Sequence, residues 1–231
     1  MGYMKIIDSH THIDYITCDI QPDVVGVVCC STEESDWNKI VDLMMKNNCV
    51  YGAFGVHPWF IESVKNDFYN DLEMLLKSNQ KYMIGEIGLD KYKPNIEKQI
   101  DVFVKQFNIA INLKRPVFLH CVGAWDKMLH ILKRYKLSEL PIIVAHDFNA
   151  NADITDKLIK YKNIMFSLGK NSVYGKNSRI SQIPLNRILI ESDGKSDVVL
   201  KDIITEISNI KKDTNVPRII YNNTKWVLNN E

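Results

Sequence analysis

Two histidines one residue apart close the first apolar run of the sequence. His10 and His12 follow Ile6-Ile7 and flank Thr11. Because side chains alternate along a strand, the two imidazoles face the same way, roughly 7 Å apart along the backbone, and can hold one cation. A pair of core histidines satisfied by hydrogen bonds would show the same spacing. The pair therefore indicates a metal site but does not by itself distinguish the two interpretations.

A carboxylate interrupts a second apolar run, at Glu86 within residues 82–89. Burial of an isolated charge is very costly, so Glu86 needs a cation. No basic residue lies in the run, and although a distant Lys or Arg could pair with it, metal ligation is favoured because a carboxylate can bridge two ions. Glu86 is thus a candidate bridging ligand.

Three more polar residues lie where apolar runs end: His120, His146 and Asp193. Each has an ordinary alternative, since a lone histidine after a strand is more often structural and Asp193 could cap a helix. Because such residues recur at the ends of several predicted strands, the metal-ligand interpretation is favoured over the separate alternatives. The resulting set is typical of two hydrolytic metal ions roughly 3.5–4 Å apart, and consists of His10, His12, Glu86, His120, His146 and Asp193.

Apolar runs of strand length alternate with longer amphipathic segments, which predicts βα units and a parallel sheet. Strands are predicted over residues 5–12, 24–31, 50–57, 82–89, 116–121, 142–146, 164–168 and 187–193. Helices are predicted over residues 33–47, 67–79, 95–112, 124–136, 151–161, 197–212 and 223–229. Periodicity does not distinguish a (β/α)₈ TIM barrel from an open doubly wound sheet. Active sites of barrels lie at the carboxyl ends of the strands, where all the candidate ligands fall.

Length and composition fit one globular enzyme. A chain of 231 residues with no long linker predicts a single domain, residues 1–231. The net charge of +1 does not indicate a strong nucleic-acid binder, and the basic stretch 91–136 is read as solvated helix faces. Five cysteines without C-x-x-C spacing do not imply a disulfide framework. With no long apolar run, a cytoplasmic protein without a membrane partner is expected, and a monomer is favoured.

These residues resemble the TatD-type deoxyribonucleases within the amidohydrolase-like barrels. The matching segments occur in family order over residues 8–193. They are Asp8-Ser-His-Thr-His-Ile-Asp14, Gly55-Val-His-Pro58, Gly85-Glu-Ile-Gly-Leu-Asp90, Arg115-Pro-Val-Phe-Leu-His120, His146 with Phe148, and Glu191-Ser-Asp193.

The resemblance implies a barrel with two divalent ions, Zn²⁺, Mg²⁺ or Mn²⁺. His10 and His12 would hold one ion and His120 and His146 the other, while Glu86 bridges and Asp193 binds and orients the attacking water. Glu86 and Asp193 are thus the expected catalytic residues, and His57 and Asp90 the expected substrate-binding residues. The implied activity is cleavage of phosphodiesters in DNA, with a 3'-5' exonuclease as one form.

The sequence departs from the family pattern around the fifth and sixth strands. The family commonly has an Arg two residues after the fifth-strand histidine, suited to a phosphate, and Val122 stands there. Lys170, Lys195 or Arg179 could supply a point charge instead. Two alternatives therefore stay open: a hydrolase of C–N or C–O bonds in small molecules, and a metal-binding subunit of a nucleic-acid-processing or defence complex.

Overall fold

Eight parallel strands pair in sequence order, from β1 with β2 to β7 with β8, in a computed structural model that describes residues 4–19, 21–65, 67–176 and 178–229. The last strand returns to the first, since the Asp193 amide donates to the carbonyl of His10 (3.0 Å) and the Ser9 hydroxyl donates to that of Ile190 (2.9 Å). The predicted (β/α)₈ barrel is confirmed. The strands are β1 Ile6–Thr11, β2 Val24–Cys30, β3 Val50–Phe54, β4 Met83–Asp90, β5 Val117–Val122, β6 Ile143–Ala145, β7 Ile164–Leu168 and β8 Ile188–Ile190.

Helices follow the strands and cover the outside of the barrel. The longest, α3, buries Phe103, Phe107 and Ala110, the stripe that its spacing of three and four residues predicts. The helices are α1 Glu34–Lys46, α2 Phe68–Ser78, α3 Ile96–Leu113, α4 Trp125–Leu132, α5 Ala152–Ile159, α6 Lys170–Tyr174, α7 Leu200–Lys211 and α8 Val216–Asn229. No helix in the described ranges is long and apolar enough to cross a membrane.

Some predicted boundaries were wrong. The helix predicted over 223–229 begins at Val216, because Pro217 falls in its first turn, where a missing amide hydrogen costs nothing. Helix α6 has only five residues, too few for periodicity to reveal. The third and eighth strands end before His57 and Asp193. Asp193 adopts a left-handed φ of 54° that takes it out of the sheet.

The hydrophobic core is divided by the sheet. A larger cluster lies between strands and helices, and a smaller one fills the barrel interior, with Val28 and Cys30 of β2, Phe118 of β5 and Met165 of β7 among its members. Alternate residues of strands β2 to β8 supply the two clusters. The polar side chains of the strands concentrate at the carboxyl ends, so the apolar interior forms the floor of the site.

The sulfur atoms of Cys18 and Cys49 are joined as a disulfide, whereas Cys29, Cys30 and Cys121 are free and buried. The sequence implied no disulfide framework, and this one pairing corrects that expectation. The partners are 31 residues apart and meet only because the turn after β1 lies against the segment that leads into β3. Sequence spacing carries no sign of such a contact.

Candidate metal centre

Glu86 of β4 lies at the middle of the site and is 1% exposed. Its Oε1 atom is 2.7 Å from Nε2 of His146 and 2.9 Å from Nδ1 of His120. Its Oε2 atom is 3.3 Å from Nε2 of His10 and 3.7 Å from Nε2 of His12. One carboxylate therefore faces two separate histidine pairs, one with each oxygen.

Backbone packing places these ligands. A Cβ at Gly88 would collide with the carbonyl oxygen of His120, so only glycine lets β4 approach β5 this closely. On the opposite side, Asp193 directs Oδ1 to within 3.7 Å of Nε2 of both His10 and His12. The six residues predicted as ligands thus converge on one centre, and their metal binding remains a prediction.

Buried nitrogen atoms without partners show that the residues fit a cation. Within the described part of the chain, neither ring nitrogen of His10 has a hydrogen-bond partner, and its Nε2 atom faces Oε2 of Glu86. Buried polar groups are rarely left unsatisfied. Three overlapping groups of side chains here have potential ligand atoms within 4.8 Å of one another. Imidazole nitrogens and carboxylate oxygens are donors that Zn²⁺ and Mn²⁺ accept.

Two of the histidines are oriented by hydrogen bonds on their other nitrogen. Nδ1 of His12 lies 3.2 Å from the carbonyl oxygen of Cys30, and Nδ1 of His146 lies 3.2 Å from Oε1 of Glu191. An oxygen acceptor requires a proton on Nδ1, which leaves the Nε2 lone pair free in a neutral ring. Both Nε2 atoms point at Glu86. This is the usual arrangement of histidines that bind metals.

The titration of the centre follows from mutual charge pairing. Burial by itself would raise the pKa of Glu86, but the charge of His146 and the close contact with Nε2 of His10 hold it well below its usual value. Burial would lower the pKa of His146, but the carboxylates of Glu86 and Glu191 raise it well above the usual range. Ionised carboxylates thus hold protonated imidazoles together. Cations would take the place of those protons.

His57 differs from the other histidines of the centre. Burial and neighbouring imidazoles lower its pKa to about 3, so the ring is neutral. Nδ1 accepts the amide hydrogen of Trp59 at 3.1 Å, which leaves the proton on Nε2, 3.6 Å from Oε1 of Glu86. A protonated Nε2 donates a hydrogen bond and cannot bind a metal. His57 is therefore placed as a donor on the wall of the site, although its distances would also suit a ligand.

A family model described as TatD related DNase matches residues 7–225. The chain belongs to the TatD family. It is thus a metal-dependent hydrolase of that family, and the resemblance, the barrel and the enzyme class predicted from the sequence are confirmed.

Relatives in the TatD family differ in how much of their length this chain covers. It is 30% identical over 158 residues to a human 3'-5' RNA nuclease, a match covering 65% of this chain but only 21% of that longer protein. It is 25% identical to the metal-dependent hydrolase YjjV of Escherichia coli, covering 82% of this chain and 79% of YjjV. The crystal structure of YjjV superposes with a TM-score of 0.87 at 22% identity, over 99% of both chains. A 3'-5' ssDNA/RNA exonuclease TatD from Yersinia pseudotuberculosis is 27% identical over 62% of this chain and 57% of its own length.

The TatD-family centre opens into a cavity of about 470 Å³. Val122, the residue at the position of the family arginine, lines it, and so does Lys195, whose ammonium group pairs with Oδ2 of Asp193. Of the three cations considered from the sequence, Lys195 alone lines this cavity, and Lys170 lies in an adjoining groove, paired with exposed Asp197. The cavity wall thus places one positive charge beside the carboxylate.

Asp90, expected to bind substrate, lies behind the cavity wall. Its carboxyl group is buried, with Oδ2 2.7 Å from the indole nitrogen of Trp59 and Oδ1 2.8 Å from the amide of Tyr92. Nε2 of His120 lies 3.7 Å from Oδ2. The structure therefore brings His57 to the cavity and places Asp90 where it holds Trp59.

Asp8 and Glu191 were not among the predicted site residues. The carboxylate of Asp8 is fully buried and accepts hydrogen bonds from the amides of His10 and Ser192 and from the hydroxyls of Thr17 and Ser192. Burial raises its pKa to about 7, and the hydrogen bonds partly oppose the shift. Asp8 ties the ends of β1 and β8 together. The sequence could have indicated this role, because Asp8 follows the apolar residues Ile6 and Ile7 and a buried carboxylate needs partners, as Glu86 does.

Proposed function

We propose that this TatD-family chain is a two-ion phosphodiesterase that cleaves single-stranded nucleic acid from an end. The observation that carries the proposal is the division of Glu86, whose two oxygens face different histidine pairs. His10, His12 and Asp193 would hold one ion beside Oε2, and His120 and His146 the other beside Oε1. A carboxylate shared in this way would serve both ions of a two-metal hydrolytic site.

Divalent ions at this position would polarise the phosphoryl oxygens and lower the pKa of an attacking water. Asp193 would accept the proton of that water as an ionised carboxylate: burial raises its pKa, but His12, His10 and Lys195 outweigh that effect and keep the group deprotonated. Water oxygen bonds to phosphorus as the ester bond to the leaving sugar oxygen breaks. Nε2–H of His57 would donate to a substrate oxygen.

Lys195 would replace the family arginine as the phosphate-binding cation. Its ammonium group contacts the outer oxygen of Asp193, while the inner oxygen faces His10 and His12. A lysine offers a point charge and lacks the paired hydrogen bonds of a guanidinium. We therefore expect weaker orientation of the phosphate than an arginine would give, with the charge retained.

The relatives support the substrate class. Two of them carry the names 3'-5' RNA nuclease and 3'-5' ssDNA/RNA exonuclease. The cavity volume of about 470 Å³ lies in the range of sites for small ligands, which suits one nucleotide unit at a time. DNA or RNA that is single-stranded, degraded 3'-5' by one catalytic domain acting as a monomer, is the form of the activity that we propose.

The test is cleavage of end-labelled single-stranded DNA and RNA by the chain with Mg²⁺, Mn²⁺ or Zn²⁺. Glu86→Gln is expected to abolish cleavage because it removes the bridging charge, and Lys195→Ala to raise KM for the phosphodiester. Glu97→Gln, an 82% exposed carboxylate on α3, is the matched control and should retain activity. Cleavage that survives Glu86→Gln would contradict the proposal. So would turnover confined to lactones or cyclic amides, which would favour a small-molecule hydrolase.

A further inference from the structure

The indole ring of Trp59 forms a half-exposed face on the rim of the metal-centre cavity. Its exposed fraction is 52%, although tryptophan is among the side chains that gain most from burial. The ring lines the cavity beside His57 and Phe60. The hydrolytic reaction itself does not use this surface.

The orientation of the ring is fixed from behind. Its Nε1–H group donates to Oδ2 of Asp90 at 2.7 Å, and Asp90 is itself 3% exposed at the end of β4. The backbone amide of Trp59 donates to Nδ1 of His57 at 3.1 Å. A ring anchored at both its backbone and its indole nitrogen loses little conformational freedom when a ligand stacks on it.

The ring also lies next to histidines of the metal centre. Its centroid is 5.2 Å from that of His57 and 6.4 Å from that of His120, with the planes nearly perpendicular in both cases. A group stacked on the indole would therefore be within one nucleotide of a phosphate bound at the centre. The distance suits a base attached to the sugar next to the scissile bond.

Positive charge accompanies the aromatic face. Nζ of Lys93, on the exposed turn after β4, lies over one face of the indole, 4.0 Å from the ring centroid. Trp59 lines the cavity and Lys93 does not, so the ring surface toward the cavity is the one on which a base would stack. Aromatic rings interleaved with cations are how proteins bind single-stranded nucleic acid, because bases stack on the rings and the cations follow the phosphates. In a duplex the bases are already paired and stacked, so such a surface discriminates in favour of single strands.

We propose that Trp59 is a stacking platform for the base next to the scissile phosphate of a single-stranded nucleic acid, with Lys93 contacting a phosphate of the same strand. The inference rests on the proposed phosphodiesterase activity and specifies how its substrate is recognised. Asp90 is then a positioning residue, acting through the indole nitrogen. This positioning role explains why the carboxylate of Asp90 is buried behind the cavity wall.

The test compares Trp59→Leu and Trp59→Phe on two oligonucleotides, one complete and one in which the terminal nucleotides lack their bases. Trp59→Leu should lower kcat/KM on the complete substrate about 5- to 150-fold, mostly through KM, as expected for the loss of one base–aromatic stack. Trp59→Phe, which keeps a ring, should lose less. On the abasic substrate Trp59→Leu should equal the wild type. Trp226→Leu on α8, 42% exposed, is the matched control.

Two results would overturn the inference. Equal losses on complete and abasic substrates would show that Trp59 only supports the fold of the site, as would a Phe variant no better than the Leu variant. Failure of the proposed function itself is distinguishable, because the wild type would then cleave neither oligonucleotide. Circular dichroism and thermal unfolding of each variant identify any loss caused by misfolding. If Trp59→Leu misfolds, the loss of Trp59→Phe on the complete substrate compared with the abasic one decides.

Discussion

Replacement of Glu191 by Gln would test whether the centre binds metal through Nε2 of His146. Oε1 of Glu191 lies 3.2 Å from Nδ1 of His146 and 2.7 Å from the amide of Asp147, and the side chain is fully buried. A glutamine has the same shape, and its amide oxygen can still accept both hydrogen bonds. The substitution therefore removes the negative charge that makes the imidazole a stronger ligand.

The expected magnitude follows from this geometry. Partners of metal-binding histidines typically change metal affinity by about 10–100-fold, which is about 1.4–2.7 kcal/mol. Bound metal stabilises the folded state by an amount that falls by about 1.4 kcal/mol per decade of lost affinity. For a chain of this size about 1 kcal/mol corresponds to roughly 2–4 °C. The metal-induced rise in Tm should therefore be about 3–11 °C smaller in Glu191→Gln.

The assay is thermal unfolding with and without Mn²⁺ or Zn²⁺, paired with calorimetric titration. Comparing each variant with its own metal-free form separates metal affinity from any intrinsic loss of stability. Glu97→Gln on the exposed face of α3 should leave the rise unchanged. Metal affinity of Glu191→Gln within about threefold of wild type would refute the reasoning, because His146 would then not depend on its carboxylate partner.

Two further predictions concern the same centre. Burial would lower the pKa of His12, but the carboxylates of Asp193 and Glu86 raise it, as neighbouring carboxylates do for His146. Protons therefore compete with metal above the ordinary histidine range. Apparent metal affinity should thus keep rising with pH through and beyond neutrality in calorimetric titrations, and a plateau from pH 6.5 upward would contradict this. Asp8→Ala should cost about 2–4 kcal/mol in the free energy of unfolding measured with urea, because it leaves buried donors unpaired; a loss below about 0.5 kcal/mol would show that Asp8 does not tie β1 to β8.

Local sequence determined which residues could serve the site and on which elements they lie. The alternation of side chains along β1 puts His10 and His12 on one side. The apolar runs around Glu86 and His120 form buried strands, in which a polar side chain needs a bonding partner. These properties depend on neighbours a few residues away, so periodicity and residue type suffice to predict them. The long periodic helix α3 could be predicted for the same reason.

Only the tertiary structure decided how these residues meet. The division of Glu86 between two histidine pairs, the pairing of Glu191 with His146 across 45 residues, and the anchoring of Trp59 by Asp90 all join separate βα units. Such contacts depend on the stagger of the strands and on closure of β8 against β1. The sequence of one segment does not predict those distances, because the pattern of a strand specifies only which of its residues lie on which face.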